Sequence, residues 1–180
     1  IVTGNIKTDP TLTIVKQDYK DKVSQPKSSG ELFVDINGFS LIKRGNYAVD
    51  PSFRASQYEQ LNVQYDGGTK AFHACPNRMD PITTLINPEE VTRIEIIKGP
   101  FSVRYGNTFA GVINLVTQNG NDTGKKISGS VSSGYESNGN SIVNLLQLES
   151  DLDKFDISGS LSYRDYGNYE DGNQNEIASA

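Results

Sequence analysis

Residues 126–180 carry the clearest pattern of alternating apolar and polar positions in the chain. Apolar or small residues occupy every second position of 127–135 and again of 155–163, and most of the intervening positions hold Ser, Gly or a charge. A third run, 141–149, is more apolar and alternates less strictly, and residues 137–140 and 151–154 are turn formers. The pattern predicts three antiparallel strands of about ten residues, each with one apolar face.

Two interpretations fit these strands. Their length and two-residue period are typical of transmembrane β-barrel strands, and Tyr135 and Tyr163 fall at strand ends, where an aromatic girdle lies. A soluble hairpin stack with one wet face would alternate in the same way. Three strands cannot close a barrel, so under the membrane interpretation we expect a barrel fragment, with residues 165–180 as a solvated loop.

Residues 1–118 have a different pattern and predict a compact unit of short helices and strands. A helix of one or two turns is expected after the cap-like residues 28–31, ending at 37–38. A second, brief helix is expected to start at Asn87 and Pro88, because a β-type run follows at 93–98. Strands are expected at 40–44, 61–65, 93–98 and 111–117, the last of them central and buried. Residues 119–125 are rich in turn formers and predict a polar linker between the two parts.

Composition excludes several classes of function. The net charge of −5 argues against a nucleic-acid partner, because phosphate binding needs clustered Lys and Arg. A single Cys rules out an internal disulfide, and no run approaches 18 apolar residues. With one His and no carboxylate dyad or phosphate-binding loop, the sequence offers no catalytic constellation, and we expect no enzyme.

The chain's only His, only Cys and only Met lie together as His73, Cys75 and Met79. Thiolate and thioether are soft ligands that favour Cu(I) over harder ions. A small buried thiol, a gap-filling Met and an unrelated surface His would explain the same residues without a metal. From spacing alone, both interpretations stay open.

A resemblance to a known family extends these expectations. Residues 87–100 read NPEEVTRIEIIKGP and are followed by Tyr105-Gly106 and by GVINLVT at 111–117. This order resembles the plug domain of TonB-dependent outer-membrane receptors, in which "IERIEVxxGP…LYG…GGVINIxT" precedes the first barrel strand. Residues 50–54 and 61–67 match the family's middle plug strands, whereas Ala55 and Ala110 stand where glycine is common.

The resemblance implies an α+β plug domain (a small mixed sheet with short helices) over residues 1–118, followed by antiparallel strands of a truncated transmembrane β-barrel over 126–180. It also implies a location in the bacterial outer membrane, contact with its lipid, and a periplasmic TonB-type energy-coupling protein as partner. The plug would block the pore until that partner pulls on it.

A narrower resemblance concerns the cargo. The sequence CPNRMDP, from Cys75 to Pro81, looks like the signature of the TonB-dependent copper receptor subfamily. That resemblance implies Cys75 and Met79 as copper ligands, completed by a His and a Met from a barrel strand outside this sequence. His73 lies outside the core signature and is a weaker candidate. The expected function is therefore binding and import of copper, with Cu(I) favoured.

Two alternatives remain at this point. The cargo could be an iron-siderophore, contacted by aromatic residues such as Tyr47, Phe53, Tyr58 and Phe72, although core packing is the commoner role for these. The chain could also be a soluble periplasmic adhesion or signalling module.

Overall fold

A computed structural model describes residues 11–15, 25–43, 48–70, 81–99, 106, 108–117, 126–152 and 155–177. The described part contains ten strands in three sheets and four short 3₁₀ helices. The strands are β1 (Thr11–Val15), β2 (Phe39–Lys43), β3 (Val49–Phe53), β4 (Leu61–Tyr65), β5 (Thr69–Lys70), β6 (Val91–Lys98), β7 (Gly111–Thr117), β8 (Ile127–Glu136), β9 (Ser141–Leu152) and β10 (Phe155–Asp165). The helices are η1 (Ser29–Phe33), η2 (Tyr58–Gln60), η3 (Ile82–Leu85) and η4 (Pro88–Glu90). The expected linker, 119–125, lies outside the described residues.

The N-terminal unit is built on a five-stranded sheet in the order β1-β6-β7-β4-β5. Strand β7 is central and buried, as its continuous apolar run predicts, and it runs antiparallel to β6 and parallel to β4. Ile94, Ile96 and Ile97 of β6 are all buried, so this strand is covered on both faces. In β4 the alternation of apolar and polar residues suggests one exposed face, but the polar residues Asn62 and Gln64 are buried as well as the apolar ones. The edge strand β1 was not predicted.

Both predicted helices occur, each as a short 3₁₀ helix. The first is the five-residue η1, and Ser28 makes no side-chain capping bond; instead Glu31 Oε2 accepts a hydrogen bond from the Lys27 backbone N–H at 2.8 Å. The second is the three-residue η4, and the Asn87 side chain makes no capping bond. Strand β6 begins directly after η4 because its β-branched residues bury both faces in the sheet, which outweighs the helix-start signal.

The two small-residue departures from the plug pattern occupy special positions. Arg54 and Ala55 both have positive φ, +48° and +65°, a region that disfavours residues with a β-carbon. Ala110 directly precedes Gly111, where the backbone of β7 runs so close to β6 that a β-carbon would lie 2.6 Å from the Ile97 carbonyl oxygen. Gly111 is the second residue of the pair that reads Gly-Gly in the family pattern and Ala110-Gly111 here, and close packing between β6 and β7 requires glycine at this position.

The three C-terminal strands form a separate antiparallel sheet in the order β8-β9-β10, called the wall below. The predicted strands are confirmed, with Ile127 opposite Ser150 and Leu161 opposite Leu146. Eleven large apolar residues on one face are exposed: Ile127, Val131, Tyr135, Ile142, Leu146, Leu148, Leu152, Phe155, Ile157, Leu161 and Tyr163. The other face turns toward the N-terminal unit, and Leu145 is buried there, which explains why β9 alternates weakly.

Among the described residues, helices of the length and apolar character needed to cross a membrane are absent.

We predict that Gly111→Ala destabilises the N-terminal unit by about 2–3 kcal/mol, because the new methyl group must push β7 away from the Ile97 carbonyl. The urea midpoint for loss of amide protection in β6 and β7, measured by hydrogen exchange, checks this. Gly68→Ala is the matched control, since no atom lies within 4 Å of the position that its methyl group would take. Equal midpoints for the two variants would contradict the packing argument.

Candidate functional site

The predicted metal ligands His73, Cys75 and Met79 lie outside the described residues, as do Tyr47 and Phe72. The structure does describe the two ends of the segment that contains the ligands. On one side β5 ends at Lys70, and on the other Pro81 is fully buried and its carbonyl accepts a hydrogen bond from the Thr84 N–H at 3.0 Å. Thr83 is also buried and donates to the Val49 carbonyl at 2.6 Å.

Within the described residues, no group of three or more His, Cys, Asp or Glu side chains could hold a metal ion. Of the aromatic residues considered for an iron-siderophore, Phe53 is only 2% exposed and packs on Phe39 with ring centroids 4.8 Å apart. It is a core residue and presents no surface to a cargo. Tyr58 is half-buried, and its φ is +52°.

The most developed polar site in the described part is the contact between residues 87–90 and the inner face of the wall, called the seam below. Arg164 of β10 forms an ion pair with Glu89, and the two side chains are only 15% and 14% exposed. The same guanidinium donates to Ser162 Oγ at 2.9 Å and to Asn87 Oδ1 at 3.3 Å. The positive charge of Arg164 on β10 is thereby paired with the carboxylate of Glu89 in η4, the short helix that precedes β6.

Glu90 extends the seam along β10 and into the five-stranded sheet. Its Oε1 accepts a hydrogen bond from Ser160 Oγ at 2.8 Å, and its Oε2 accepts one from the Tyr65 hydroxyl at 3.3 Å. Burial and the neighbouring Glu90 carboxylate raise the pKa of Tyr65, so the phenol keeps the proton that it donates. The Gln147 side chain adds a bond to the Glu89 carbonyl at 3.3 Å.

A cavity of about 190 Å³ lies beside these contacts, between the N-terminal unit and the wall. Its lining is mostly polar and includes Tyr65, Glu90, Thr117, Gln147 and Glu149. Such a volume holds several water molecules, which can replace hydrogen bonds of the seam when the two parts separate. The seam therefore joins the parts through contacts that water can exchange.

Sequence reasoning considered Glu89 only as part of a helix start and did not single out Arg164. The available signal was the inward position of Arg164 in the alternating pattern of β10, since a charge on the inner face of a barrel strand needs a partner. Its partner could not be identified, because Glu89 is 75 residues away in the sequence.

Comparison with known proteins identifies the family. The family model described as TonB-dependent Receptor Plug Domain matches residues 6–112. This chain belongs to the TonB-dependent receptors. The N-terminal unit is accordingly the plug, and the resemblance noted in the sequence is confirmed.

The relatives differ in the ligands that their names give. TonB-dependent heme receptor A of Haemophilus influenzae is 30% identical over 125 residues, which are 66% of this chain and 16% of that protein. Among solved structures, the copper transporter OprC has 25% identity and a TM-score of 0.75, covering 95% of this chain and 26% of that one. FpvA of P. aeruginosa, bound to pyoverdines, has 16% identity and a TM-score of 0.67, covering 89% and 21%, and shows the fold alone.

The chain thus spans 16% of the curated relative's length and 26% and 21% of the two structures. Receptors of this family are outer-membrane proteins of Gram-negative bacteria and are not enzymes. The family assignment decides between the two interpretations of the alternating strands. The exposed apolar face of the wall faces lipid, and the inner face carries the plug. The soluble-module interpretation is wrong.

We predict that Glu89→Ala lowers the stability of the seated plug by about 2–4 kcal/mol, because it leaves the largely buried Arg164 guanidinium without its counter-ion. The measurement is the urea midpoint for loss of amide protection in β6 and β7 of the receptor.

Arg93→Ala is the control. It breaks a more exposed ion pair with Glu95, in which the Arg93 side chain is 48% exposed, so its effect should stay within about 1 kcal/mol. Replacing both Glu89 and Arg164 by Met should recover much of the loss, since neither charge then remains buried. A double variant that is no more stable than Glu89→Ala would argue against a direct pair.

Proposed function

We propose that this chain is the plug and first barrel strands of an outer-membrane transporter that binds copper and imports it, with Cu(I) as the favoured form. Cys75 and Met79 are the ligands that the chain contributes, and His73 is a weaker candidate. The remaining ligands come from barrel strands outside this sequence. A periplasmic TonB-type protein supplies the energy for import.

The observation that carries the proposal is the spacing of Cys75 and Met79. They are the chain's only thiol and only thioether, and they lie four positions apart in the sequence CPNRMDP. Soft sulfur ligands favour Cu(I) over harder ions such as Mg²⁺ and Ca²⁺. Pro76 and Pro81 restrict the backbone around them, which lowers the entropy lost when two sulfur atoms converge on one ion. The likeness to the copper transporter OprC supports the same cargo.

The anchored ends of the segment also support this proposal. Lys70 belongs to a strand and Pro81 is fully buried, so a segment of ten residues, 71–80, is carried between two fixed points of the plug. A site carried by the plug moves whenever the plug moves, so binding and passage through the pore are linked. A receptor must also release its cargo, which suits a site completed by ligands from two separate parts of the protein.

The polar seam fits a plug that is displaced during transport. Its contacts are hydrogen bonds and one ion pair rather than interdigitated apolar side chains. Separation of an apolar interface exposes area to water at a cost proportional to that area, whereas polar groups of the seam regain hydrogen bonds from water. The partner therefore has less work to do when it pulls the plug from the wall.

Heme and iron-siderophores are the competing cargoes, since a heme receptor and a siderophore receptor are among the proteins that this chain resembles. The core position of Phe53 weakens the siderophore alternative, because this residue cannot reach a cargo without unpacking from Phe39.

We predict that Cys75→Ser combined with Met79→Ala abolishes tight Cu(I) binding by the full receptor and leaves the plug seated. Titration against a Cu(I)-chelating indicator measures binding, and hydrogen exchange of β6 and β7 measures seating. His73→Ala is the control and should retain most of the affinity. Unchanged copper stoichiometry in the double variant would refute the proposed ligands.

The cargo itself is tested in cells. A deletion strain should grow poorly on limiting copper and normally on limiting iron, with either heme or a ferric siderophore as the iron source. The wild-type gene should restore growth on limiting copper, and the Cys75→Ser, Met79→Ala gene should not. A growth defect confined to heme or siderophore medium would assign one of the competing cargoes.

A further inference from the structure

The segment after β10 folds back onto the plug through two aromatic residues: Lys27 Nζ lies 4.9 Å from the ring centroid of Tyr169 and 5.7 Å from that of Tyr166. The Tyr169 hydroxyl accepts a hydrogen bond from Lys27 Nζ at 2.7 Å, and Lys43 Nζ lies 4.7 Å from the centroid of the Tyr169 ring. Lys27 belongs to the plug just before η1, and Lys43 ends β2. Tyr169 therefore bridges two elements of the plug from a loop that belongs to the barrel.

Lys27 is held on a second side by the wall. Its Nζ lies 2.5 Å from Glu136 Oε2 at the end of β8, and its side chain is only 13% exposed. Burial by itself lowers the pKa of Lys27, but the bonds to Glu136 and Tyr169 outweigh burial and raise it. The ammonium group thus stays charged and links the plug to both the wall and the loop.

The backbone of the same loop is fitted against the turn between β8 and β9. A β-carbon on Gly167 would overlap the Gly139 carbonyl, so the two chain segments touch through glycine. The Glu170 N–H donates to Asn138 Oδ1 at 2.8 Å, and Asn138 Nδ2 donates to the Glu170 carbonyl at 3.2 Å. These contacts hold residues 166–170 in place between turn and plug.

The loop lies at the end of the wall opposite the two-residue connection between β9 and β10. Outer-membrane barrels keep short turns on the periplasmic side and longer loops outside, so this end faces the exterior.

We propose that residues 166–170 form a strap that couples an external loop to the plug, so that displacement of Lys27 releases the loop. A pull on the plug from the periplasm would thereby loosen the outer surface of the receptor. This proposal rests on the contacts of Tyr169, Lys27 and Gly167 and does not depend on which cargo the receptor imports.

Tyr169→Leu removes both the hydroxyl and the aromatic ring. We expect amide exchange across 166–177 in the full receptor to rise about tenfold, since Lys27 loses its hydroxyl acceptor and Lys43 loses its aromatic partner, although Lys27 keeps the Tyr166 ring. Lys43→Gln should give a smaller rise of about threefold, because the bond to Lys27 remains. Lys126→Gln, at the opposite end of the wall, is the matched control and should change nothing. Exchange in Tyr169→Leu equal to that of the wild type would overturn the strap.

A glycine pair tests the backbone contact separately. Gly167→Ala should raise exchange across 166–177 as Tyr169→Leu does, because the methyl group forces the loop away from Gly139. Gly172→Ala lies in the same loop with no atom near its methyl position and should leave exchange unchanged. Equal exchange in the two glycine variants would refute the close approach that the strap requires.

Coupling is measured by urea titration with hydrogen exchange. In the wild type, peptides covering Ser29–Phe33 and residues 166–177 should lose protection at the same urea concentration. In Tyr169→Leu, the loop should lose protection first, at lower urea. Separate midpoints in the wild type would show that loop and plug move independently and would overturn the proposal. Copper is absent from these assays, so their outcome is independent of the cargo proposed above.

Discussion

The ion pair between Arg164 and Glu89 constrains the arrangement of plug and wall more tightly than the Lys27–Glu136 pair that also joins them, because both of its side chains are largely buried whereas Glu136 is 42% exposed. It joins a barrel strand to the short helix η4, and both side chains are largely withdrawn from water. A largely buried ion pair with supporting hydrogen bonds tolerates little misplacement, because either charge alone would be left desolvated. It therefore helps to fix the position of the plug against the inner face of the wall, together with the Ser160–Glu90 hydrogen bond on β10 and the Lys27–Glu136 ion pair at the end of β8.

The two faces of the wall have different environments, lipid on the outside and the polar plug and water on the inside. Its outer face carries apolar side chains such as Val131 and Leu161, which are 80% and 69% exposed, as lipid contact requires. Its inner face carries serines, Gln147 and Arg164, which pair with the plug or border a cavity large enough for water. The same two-residue alternation thus produces a lipid-facing surface and a polar contact surface for the plug.

Strand periodicity was the most reliable guide to the fold. The three wall strands and strands β2, β4, β6 and β7 occur where the pattern predicts them, because side-chain alternation and continuous β-branched runs report local structure and burial directly. The two helices were predicted to be short, and each is a short 3₁₀ helix. Neither Ser28 nor Asn87 makes a side-chain capping bond, and the chain that follows gains more by joining a sheet. The edge strand β1 was missed because its pairing with β6 spans about 80 residues.

By itself, the sequence determined the division into plug and barrel strands, the family, and the cluster of His73, Cys75 and Met79 that motivates copper as cargo. These features are local in the chain, so composition, period and motif are sufficient to find them. Only the tertiary structure decided that Arg164 faces Glu89 and that Tyr169 rests against Lys27. Both contacts join residues more than 70 positions apart, and no local preference encodes which distant charge or ring a side chain will meet once the plug is seated.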